Sequence, residues 1–133
     1  MEHAQPLKYS ELSRKLTTTI DKNDKKKNGI YFTPPETIYK NIKFLEPYMK
    51  NITTILEPSC GSCEYILKLK NIKSNINITG IELNKTIFES IKQYNSDNVA
   101  LINDNYLSYE FNTKFDLIIG NPPYFVMKKT DVE

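Results

Sequence analysis

The sequence predicts an α/β fold, a doubly wound parallel sheet that is truncated after its fourth strand. Four apolar runs of strand length follow one another, at residues 52–57, 76–82, 99–103 and 115–120. The first two are each followed by a segment of helical periodicity, and all connections are short, as in parallel sheets. A polar side chain stands at the carboxyl end of every run. These three observations together favour a sheet that binds a ligand along one edge.

The chain starts with a predicted amphipathic helix and a charged linker. Leucine and isoleucine recur about every four residues between positions 7 and 20, which is the spacing of one helix face. Residues 21–28 are rich in lysine and read as a solvated loop. We therefore expect residues 1–28 to form an N-terminal helix and linker, and residues 29–133 to form the domain that contains the sheet.

A second helix is predicted to begin at two adjacent prolines. Pro34 and Pro35 suit the first turn of a helix, where a backbone N–H has no intrahelical partner. Thr33 is the predicted N-cap, and its hydroxyl at a helix N-terminus suits an anion such as a carboxylate. Four apolar residues supply the inner face of this helix, Ile38, Ile42, Leu45 and Met49.

The remaining elements alternate between strand and helix until the fourth strand. The first strand leads through a loop at 57–63 into a helix over 64–72. The second strand is followed by a helix that Asn84 caps. The fourth run, at 115–120, is almost continuously apolar, which is typical of a strand covered on both faces.

Glu57, Glu82, Asp104 and Asn121 stand at the carboxyl ends of the four strands. The carboxyl ends of parallel strands meet at one edge, so these side chains are expected to line a single site. Glu82 follows Gly61 by 21 residues, close to the spacing at which an acidic residue meets ribose hydroxyls. The pattern predicts a nucleoside-like ligand.

The segment after the fourth strand suits a planar ring that carries an amino group. Asn121 offers an amide oxygen, Pro122 a backbone carbonyl that no sheet ladder uses, and Tyr124 an aromatic ring for stacking. Two acceptors on the amino group would free its delocalised lone pair for attack. The alternative interpretation is an ordinary turn, since asparagine and proline are common turn residues.

Composition excludes some classes of protein. The chain has 133 residues, enough for one domain, and a net charge of +2, which does not by itself indicate a nucleic-acid partner. We find no apolar run of membrane-spanning length and no signal peptide, so we expect a location in the cytosol or the nucleus and no membrane partner. Cys60, Cys63 and His3 cannot supply four zinc ligands, so no metal is expected.

Five segments, taken in order, resemble a known family: class I S-adenosylmethionine-dependent adenine-specific DNA methyltransferases of the gamma type, found in restriction-modification systems. The matching segments are Gly29–Pro34, Glu57–Gly61, Glu82–Leu83, Asp104–Asn105 and Asn121–Tyr124. The resemblance implies a Rossmann-like sheet, S-adenosylmethionine as cofactor, and methyl transfer to the N6 amino group of an adenine flipped out of DNA.

The resemblance also implies a role for each residue at the first two motifs. Thr33 is expected to hold the methionine part of the cofactor. The loop that contains Glu57, Ser59, Cys60 and Gly61 is expected to lie beneath the cofactor.

At the later motifs, the implied roles concern the nucleoside and the target base. Glu82 would bind the ribose hydroxyls, with Leu83 against the cofactor's adenine. Asp104 would accept from the amino group of that adenine, and Asn105 would flank the ring. The catalytic motif would be Asn121-Pro122-Pro123-Tyr124.

Two departures from the family pattern carry expectations of their own. Cys63 stands where the family usually has a second glycine, and its side chain is expected to crowd the cofactor or the helix. The chain also stops nine residues after Tyr124. We therefore expect the fourth strand to be an apolar edge, and the isolated chain to be a fragment, or a subunit that a second chain completes, with little activity alone.

Three alternatives remain open. Protein glutamine-N5 and some RNA methyltransferases also carry the Asn-Pro-Pro-Tyr motif, although the Thr-Pro motif ahead of the first strand favours the DNA type. A thioredoxin-like redox protein would use Cys60 and Cys63, but it explains none of the other motifs. A non-catalytic fragment that binds S-adenosylmethionine is the third.

Overall fold

The computed structural model describes residues 7–20, 22, 25 and 30–123. Within them, four strands form one sheet in the order β3-β2-β1-β4, and every pairing is parallel. The strands are β1 (Thr54–Glu57), β2 (Asn77–Ile81), β3 (Val99–Ile102) and β4 (Leu117–Ile118). This order reverses direction between β1 and β4, which is the switch point of a doubly wound fold. The predicted fold class is confirmed.

Among the described residues, four α-helices with defined bounds accompany the sheet, and each of them was predicted. They are α1 (Glu11–Thr19), α2 (Pro35–Leu45), α3 (Glu64–Ile72) and α4 (Lys85–Ile91), with 3₁₀ turns at Glu46–Asn51 and Lys92–Tyr94. Ser10 caps α1 by accepting from the Ser13 N–H, and Asn84 caps α4 by accepting from the Ile87 N–H, as expected for that residue.

Helix α2 begins one residue later than predicted, so the assignment of Thr33 as its N-cap is wrong. Pro34 occupies the cap position with φ −58° and ψ 139°, and no side chain caps the helix. A residue that precedes proline is pushed out of the helical region, so Pro35 forces Pro34 into an extended conformation. Thr33 is left outside the helix.

The end of α2 also differs from the prediction that Met49 belongs to it. The α-helix stops at Leu45 and continues as the 3₁₀ turn that contains Pro47. Proline has no N–H to donate into the helical ladder, which ends the regular hydrogen bonding there. Met49 nevertheless reaches the core, with 5% of its surface exposed.

The core lies on both faces of β1 and β2. The fully buried side chains of the domain are mostly isoleucine and leucine: Ile38, Ile55, Leu56, Ile66, Leu69, Ile76, Ile78, Ile81, Ile87 and Ile91. Gly80 of β2 is needed for this packing, because a Cβ there would lie 2.8 Å from both Ile66 Cδ1 and Leu101 Cδ2. A second cluster joins Leu16 and Ile20 to Ile87 and so attaches α1 to the domain.

Among the described residues, no helix has both the length and the apolar character needed to cross a membrane.

Strand β4 differs from the predicted buried strand over 115–120. Only Leu117–Ile118 pair with β1, and the Ile118 side chain is 59% exposed because β4 is the edge of the described sheet. The expectation of an apolar edge is therefore confirmed for the part of the chain that the structure describes. Asp116 anchors the start of β4: its Oδ2 accepts from Thr53 N at 2.8 Å and Thr53 Oγ1 at 3.0 Å. These bonds lower the pKa of Asp116.

Candidate active site

Two adjoining clefts lie at the carboxyl edge of the sheet. The first collects six of the predicted residues: Thr33, Glu57, Ser59, Cys60, Gly61 and Asn121. Five of the predicted residues line the second cleft: Ser59, Gly61, Glu82, Asn121 and Pro123. The loop after β1, the end of β2 and the segment after β4 therefore meet at one place, as the sequence predicted.

The loop between β1 and α3 is tied to the end of β2. Gly61 has φ +54°, a conformation that suits glycine, and its N–H donates to Glu82 Oε2 at 2.8 Å. The neighbouring Cys60 N–H donates to the Ile81 carbonyl at 2.8 Å. The spacing of 21 residues between Gly61 and Glu82 thus corresponds to a direct hydrogen bond.

Glu82 is a buried carboxylate that accepts hydrogen bonds from two backbone N–H groups. Only 8% of its surface is exposed, and its Oε1 accepts from Asn84 N at 3.0 Å while its Oε2 accepts from Gly61. Burial raises the pKa of Glu82, and the two backbone bonds oppose that rise. A carboxylate has about four acceptor sites, so Glu82 can still accept about two further hydrogen bonds from a ligand.

Glu57 is buried more deeply, with 2% of its surface exposed. Loss of solvent raises its pKa to about 8; the Ser59 N–H, 3.4 Å from Oε1, opposes the rise, and the charge of Glu82 adds to it. Gly120 lies directly against this carboxyl, since a Cβ there would be 2.2 Å from Glu57 Oε1. The Glu57 side chain, at the end of β1, therefore lies against the backbone that follows β4.

The four residues of the Asn-Pro-Pro-Tyr motif differ in what the structure describes. Asn121 is half-buried and lines both clefts, Pro123 is exposed and lines the second, and Pro122 is exposed. Tyr124 lies outside the described residues. The asparagine thus faces the same space as Gly61 and Glu82, and the catalytic role of the motif stays a prediction.

Three predicted cofactor contacts do not line either cleft. Leu83 is 66% exposed, and Asp104 and Asn105 are also exposed. Asp104 Oδ1 accepts from the N–H of Asn105 at 2.6 Å. They continue the same edge of the sheet beyond β2 and β3. Asn103, which we did not predict, fixes the backbone there by donating to the carbonyls of Glu82 at 2.8 Å and Leu83 at 3.2 Å.

Sequence reasoning missed several residues that line the first cleft: Tyr31, Phe32, Ser62, Glu64 and Tyr65. The Phe32 ring packs on Gly61, since a Cβ there would be 3.7 Å from Phe32 Cδ1. The buried Tyr65 accepts from Asn41 Nδ2 at 2.7 Å, a bond between α3 and α2. Position within a motif could have indicated Phe32, but Tyr65 has the spacing of an ordinary core residue.

The two cysteines are free and buried. The hydrogen bond with Cys63 and burial both raise the pKa of the Cys60 thiol, and a buried neutral thiol is a poor nucleophile, which argues against the redox alternative. Cys63 was expected to crowd the cofactor or the helix, and the structure places its side chain on the side of the helix. With φ +64°, its side chain is completely buried in the core beside Ile66 and Leu69 and lines neither cleft.

The chemistry of these groups fits S-adenosylmethionine. Glu82 offers acceptors for vicinal ribose hydroxyls, and the exposed Leu83 beside it offers an apolar surface for a purine. Gly61 brings backbone close to the ligand space with no side chain in the way. Thr33 also lines the first cleft, just ahead of the N-terminus of α2.

Comparison with known proteins finds similarity to methylases and methyltransferases. Residues 37–133 match the model of the Eco57I restriction-modification methylase family. The chain is 35% identical over 120 residues to modification methylase CviBIII of Paramecium bursaria Chlorella virus NC1A, covering 89% of this chain and 32% of the virus protein. It is 31% identical over 99 residues to a release factor glutamine methyltransferase of Buchnera aphidicola, covering 71% of this chain and 36% of that enzyme.

A solved structure of the plantazolicin methyltransferase BpumL in complex with SAH has a similar fold, with a TM-score of 0.61 and 16% identity over 82% of this chain and 44% of that one. The chain spans about a third of the length of the curated relatives described above.

Proposed function

Because the chain belongs to the Eco57I restriction-modification methylase family, we propose that it methylates the N6 amino group of adenine in DNA, with S-adenosylmethionine as the methyl donor. The observation that carries this proposal is the position of Asn121. It lines both clefts together with Gly61, and the second cleft together with Glu82, so an acceptor for an amino group faces the space proposed for the cofactor.

The proposed chemistry uses the acceptors that the chain provides. When bound, the cofactor supplies an electrophilic methyl group on a sulfonium. Asn121 Oδ1 and the Pro122 carbonyl accept the two N–H groups of the target amine, which concentrates its lone pair on nitrogen. The target nitrogen would take this methyl group, S-adenosylhomocysteine would leave, and the proton that the amine gives up would pass to solvent. Tyr124 stacks on the flipped adenine, a contact worth about 1–3 kcal/mol per base.

The proposed cofactor contacts follow the sequence assignments. Glu82 binds the ribose hydroxyls and Leu83 covers one face of the purine. Asp104 accepts from the amino group of the purine, and Asn105 flanks the ring. Thr33 holds the methionine part, and the loop residues Glu57, Ser59, Cys60 and Gly61 lie beneath the cofactor.

Methyl transfer to a protein glutamine is the second candidate, supported by the similarity to a release factor glutamine methyltransferase. The amide of glutamine presents the same two N–H donors to Asn121 and Pro122. The Thr-Pro motif ahead of β1 favours DNA. A location in the cytosol or nucleus and completion of the site by a second chain stay predictions.

A methyl-transfer experiment separates these candidates. Labelled S-adenosylmethionine is added to the chain with duplex DNA, RNA or a glutamine-containing release-factor peptide, and methylated products are identified by mass spectrometry. N6-methyladenine that disappears in Asn121→Ala would support the proposal. Methylglutamine in the peptide, or methylated RNA, without N6-methyladenine in the DNA would overturn it. Cofactor binding without transfer to any substrate would favour the non-catalytic alternative.

A further inference from the structure

Helix α1 carries a serine with no exposed surface, although the helix lies on the outside of the domain. Ser13 is 0% exposed. Its Oγ lies 2.6 Å from Ser62 Oγ and donates to Glu64 Oε1 at 2.6 Å. The Ser10 N–H also donates to this carboxyl oxygen, at 3.2 Å. The three side chains Ser13, Ser62 and Glu64 therefore form one network, which we call the serine–glutamate network.

The direction of each bond in the serine–glutamate network follows from proton counting. A serine hydroxyl has one proton to donate and can accept. The Ser13 proton goes to the Glu64 carboxylate, so the 2.6 Å contact between the hydroxyls requires Ser62 to donate to Ser13. Ser62 is itself 3% exposed, and a short bond to a charged acceptor is among the strong ones away from water.

The serine–glutamate network holds the part of the loop after β1 that β2 does not hold. Cys60 and Gly61 are tied to the end of β2 by their N–H groups. Ser62 and Glu64, which follow directly, are tied instead to α1, and both line the first cleft. Between them stands Cys63 with φ +64°, a conformation that is unfavourable for a residue other than glycine and persists only when its surroundings impose it.

Attachment of α1 to the domain does not depend on this network alone. Leu16 and Ile20 are buried against Ile87, and this apolar cluster is separate from the main core. The burial of these two aliphatic side chains contributes to docking independently of the network. The serine–glutamate network adds, beyond docking, a fixed position for the second half of the loop.

We propose that Ser13 is a positioning residue for the cofactor site, holding the loop over Gly61–Cys63 in the conformation that binds S-adenosylmethionine. The proposal rests on the proposed function and extends the site into the N-terminal helix. It also gives the loop two supports that can be tested separately, one from β2 through Glu82 and one from α1 through Ser13.

The test compares Ser13→Ala, Ser62→Ala and the double variant. Affinity for S-adenosylhomocysteine is measured by calorimetry, and the melting temperature is recorded for each protein. Removing one partner of a buried hydrogen bond is expected to weaken binding about tenfold in each single variant. The double variant is expected to bind about as weakly as either single variant, because both belong to one network.

Ile76→Val is the matched control for lost stability. Ile76 is fully buried at the amino end of β2, the edge opposite the clefts, and the change is expected to lower the melting temperature while leaving affinity within about twofold. Amide hydrogen exchange of the cofactor-free proteins gives a second readout. Exchange at Gly61 and Ser62 is expected to accelerate in Ser13→Ala and to stay unchanged in Ile76→Val.

The outcomes distinguish this proposal from the function on which it rests. Equal affinity in wild type and Ser13→Ala, with unchanged exchange in the loop, would overturn the role of Ser13 and leave the proposed function intact. An affinity loss of the same size in Ile76→Val would also overturn it, because lost stability alone would then explain the effect. Failure of the wild type to bind the ligand would overturn both proposals.

Discussion

Strand β1 has two neighbours in the sheet, and they are held to it by different means. On one side, β2 pairs with it along its whole length, from Thr54–Asn77 to Glu57–Gly80. On the other side, β4 pairs at only two positions, and its Ile118 is 59% exposed. The side that carries the proposed cofactor contacts is fixed by apolar packing. The side that carries the Asn-Pro-Pro-Tyr motif has less apolar packing, because Leu117 and Ile119 are only partly buried against the core, and backbone bonds and the Asp116 anchor also hold it.

This difference separates the two halves of the proposed chemistry. Glu82 and Gly61 are positioned by the core and by each other, at 2.8 Å. Asn121 follows an edge strand with one exposed face. The cofactor half is therefore expected to keep its geometry when the sheet is disturbed, whereas the catalytic half is expected to lose it first. The predictions below test this contrast, from the largest expected effect to the smallest.

The first prediction compares the same substitution on the two sides of β1. Ile78→Ala in β2 removes a side chain that is 2% exposed and is expected to lower the free energy of unfolding by about 2–5 kcal/mol. Ile118→Ala in β4 removes an exposed side chain and is expected to cost less than about 1 kcal/mol. Urea unfolding of both variants measures these values. Equal losses would show that the two sides are packed alike.

Much of the packed side could be predicted from sequence, and much of the edge could not. Periodicity located the strands and helices around Ile78, and the spacing between Gly61 and Glu82 predicted their proximity. The apolar run around Ile118 by itself predicted a strand covered on both faces, because such a run does not reveal whether another element covers it; the exposure was anticipated only by the separate expectation of an apolar edge. The direction of the Cys63 side chain, toward cofactor or helix, could not be predicted because it depends on a backbone φ angle. The network of Ser13 joins residues 49 or more positions apart, and no local pattern reports such a bond.

The second prediction concerns Glu57, where the two sides meet. Its pKa is raised to about 8 in the folded protein from 4.5, so the folded state binds the proton more tightly than the unfolded state. The resulting stability is present below pH 4.5 and is lost as the pH rises through 8. The free energy of unfolding of the wild type is expected to fall by on the order of 3 kcal/mol between about pH 5 and pH 7.5.

Glu57→Gln carries no titrating proton and is expected to remove that part of the decline. Burial also raises the pKa of Glu82, which contributes a decline of the same sign that should remain in the variant. The control is Glu89→Gln, since Glu89 is exposed and paired with Lys92. Urea unfolding at several pH values measures the slopes. A decline as steep in Glu57→Gln as in the wild type would contradict the assignment.

The third prediction uses a glycine on each side of β1. A Cβ at Gly80 would meet Ile66 and Leu101 at 2.8 Å, whereas a Cβ at Gly120 would meet only the end of the Glu57 side chain closer than 3.0 Å, at 2.2 Å. Each change to alanine is expected to cost about 1–3 kcal/mol through overpacking. Truncating Glu57 to alanine should relieve the clash at Gly120 on the β4 side and leave the clash at Gly80 unchanged.

The rescue is measured as a double-mutant cycle by urea unfolding. In the Glu57→Ala background, Gly120→Ala is expected to recover about 1 kcal/mol or more of its cost, whereas Gly80→Ala is expected to stay costly. Additive effects of Gly120→Ala and Glu57→Ala would show that β4 does not press on the carboxyl.

The smallest effect is expected at Cys63, in the packed half. Glycine there would relieve a left-handed backbone that costs about 1–2 kcal/mol in other residues. It would also remove a completely buried side chain, worth about 1–2 kcal/mol, and add about 0.5–1 kcal/mol of unfolded-state entropy. If packing controls this half, Cys63→Gly is destabilising by about 1 kcal/mol or less, with no change in cofactor affinity because the sulfur does not face the clefts. Gly61→Ala is the control for backbone strain alone. It places a side chain at φ +54°, and the new Cβ would make only an ordinary contact, 3.7 Å from Phe32 Cδ1. Stabilisation of the protein by Cys63→Gly would show that backbone strain outweighs packing beside β2, and the contrast between the two sides of β1 would then be smaller than the burial of their side chains indicates.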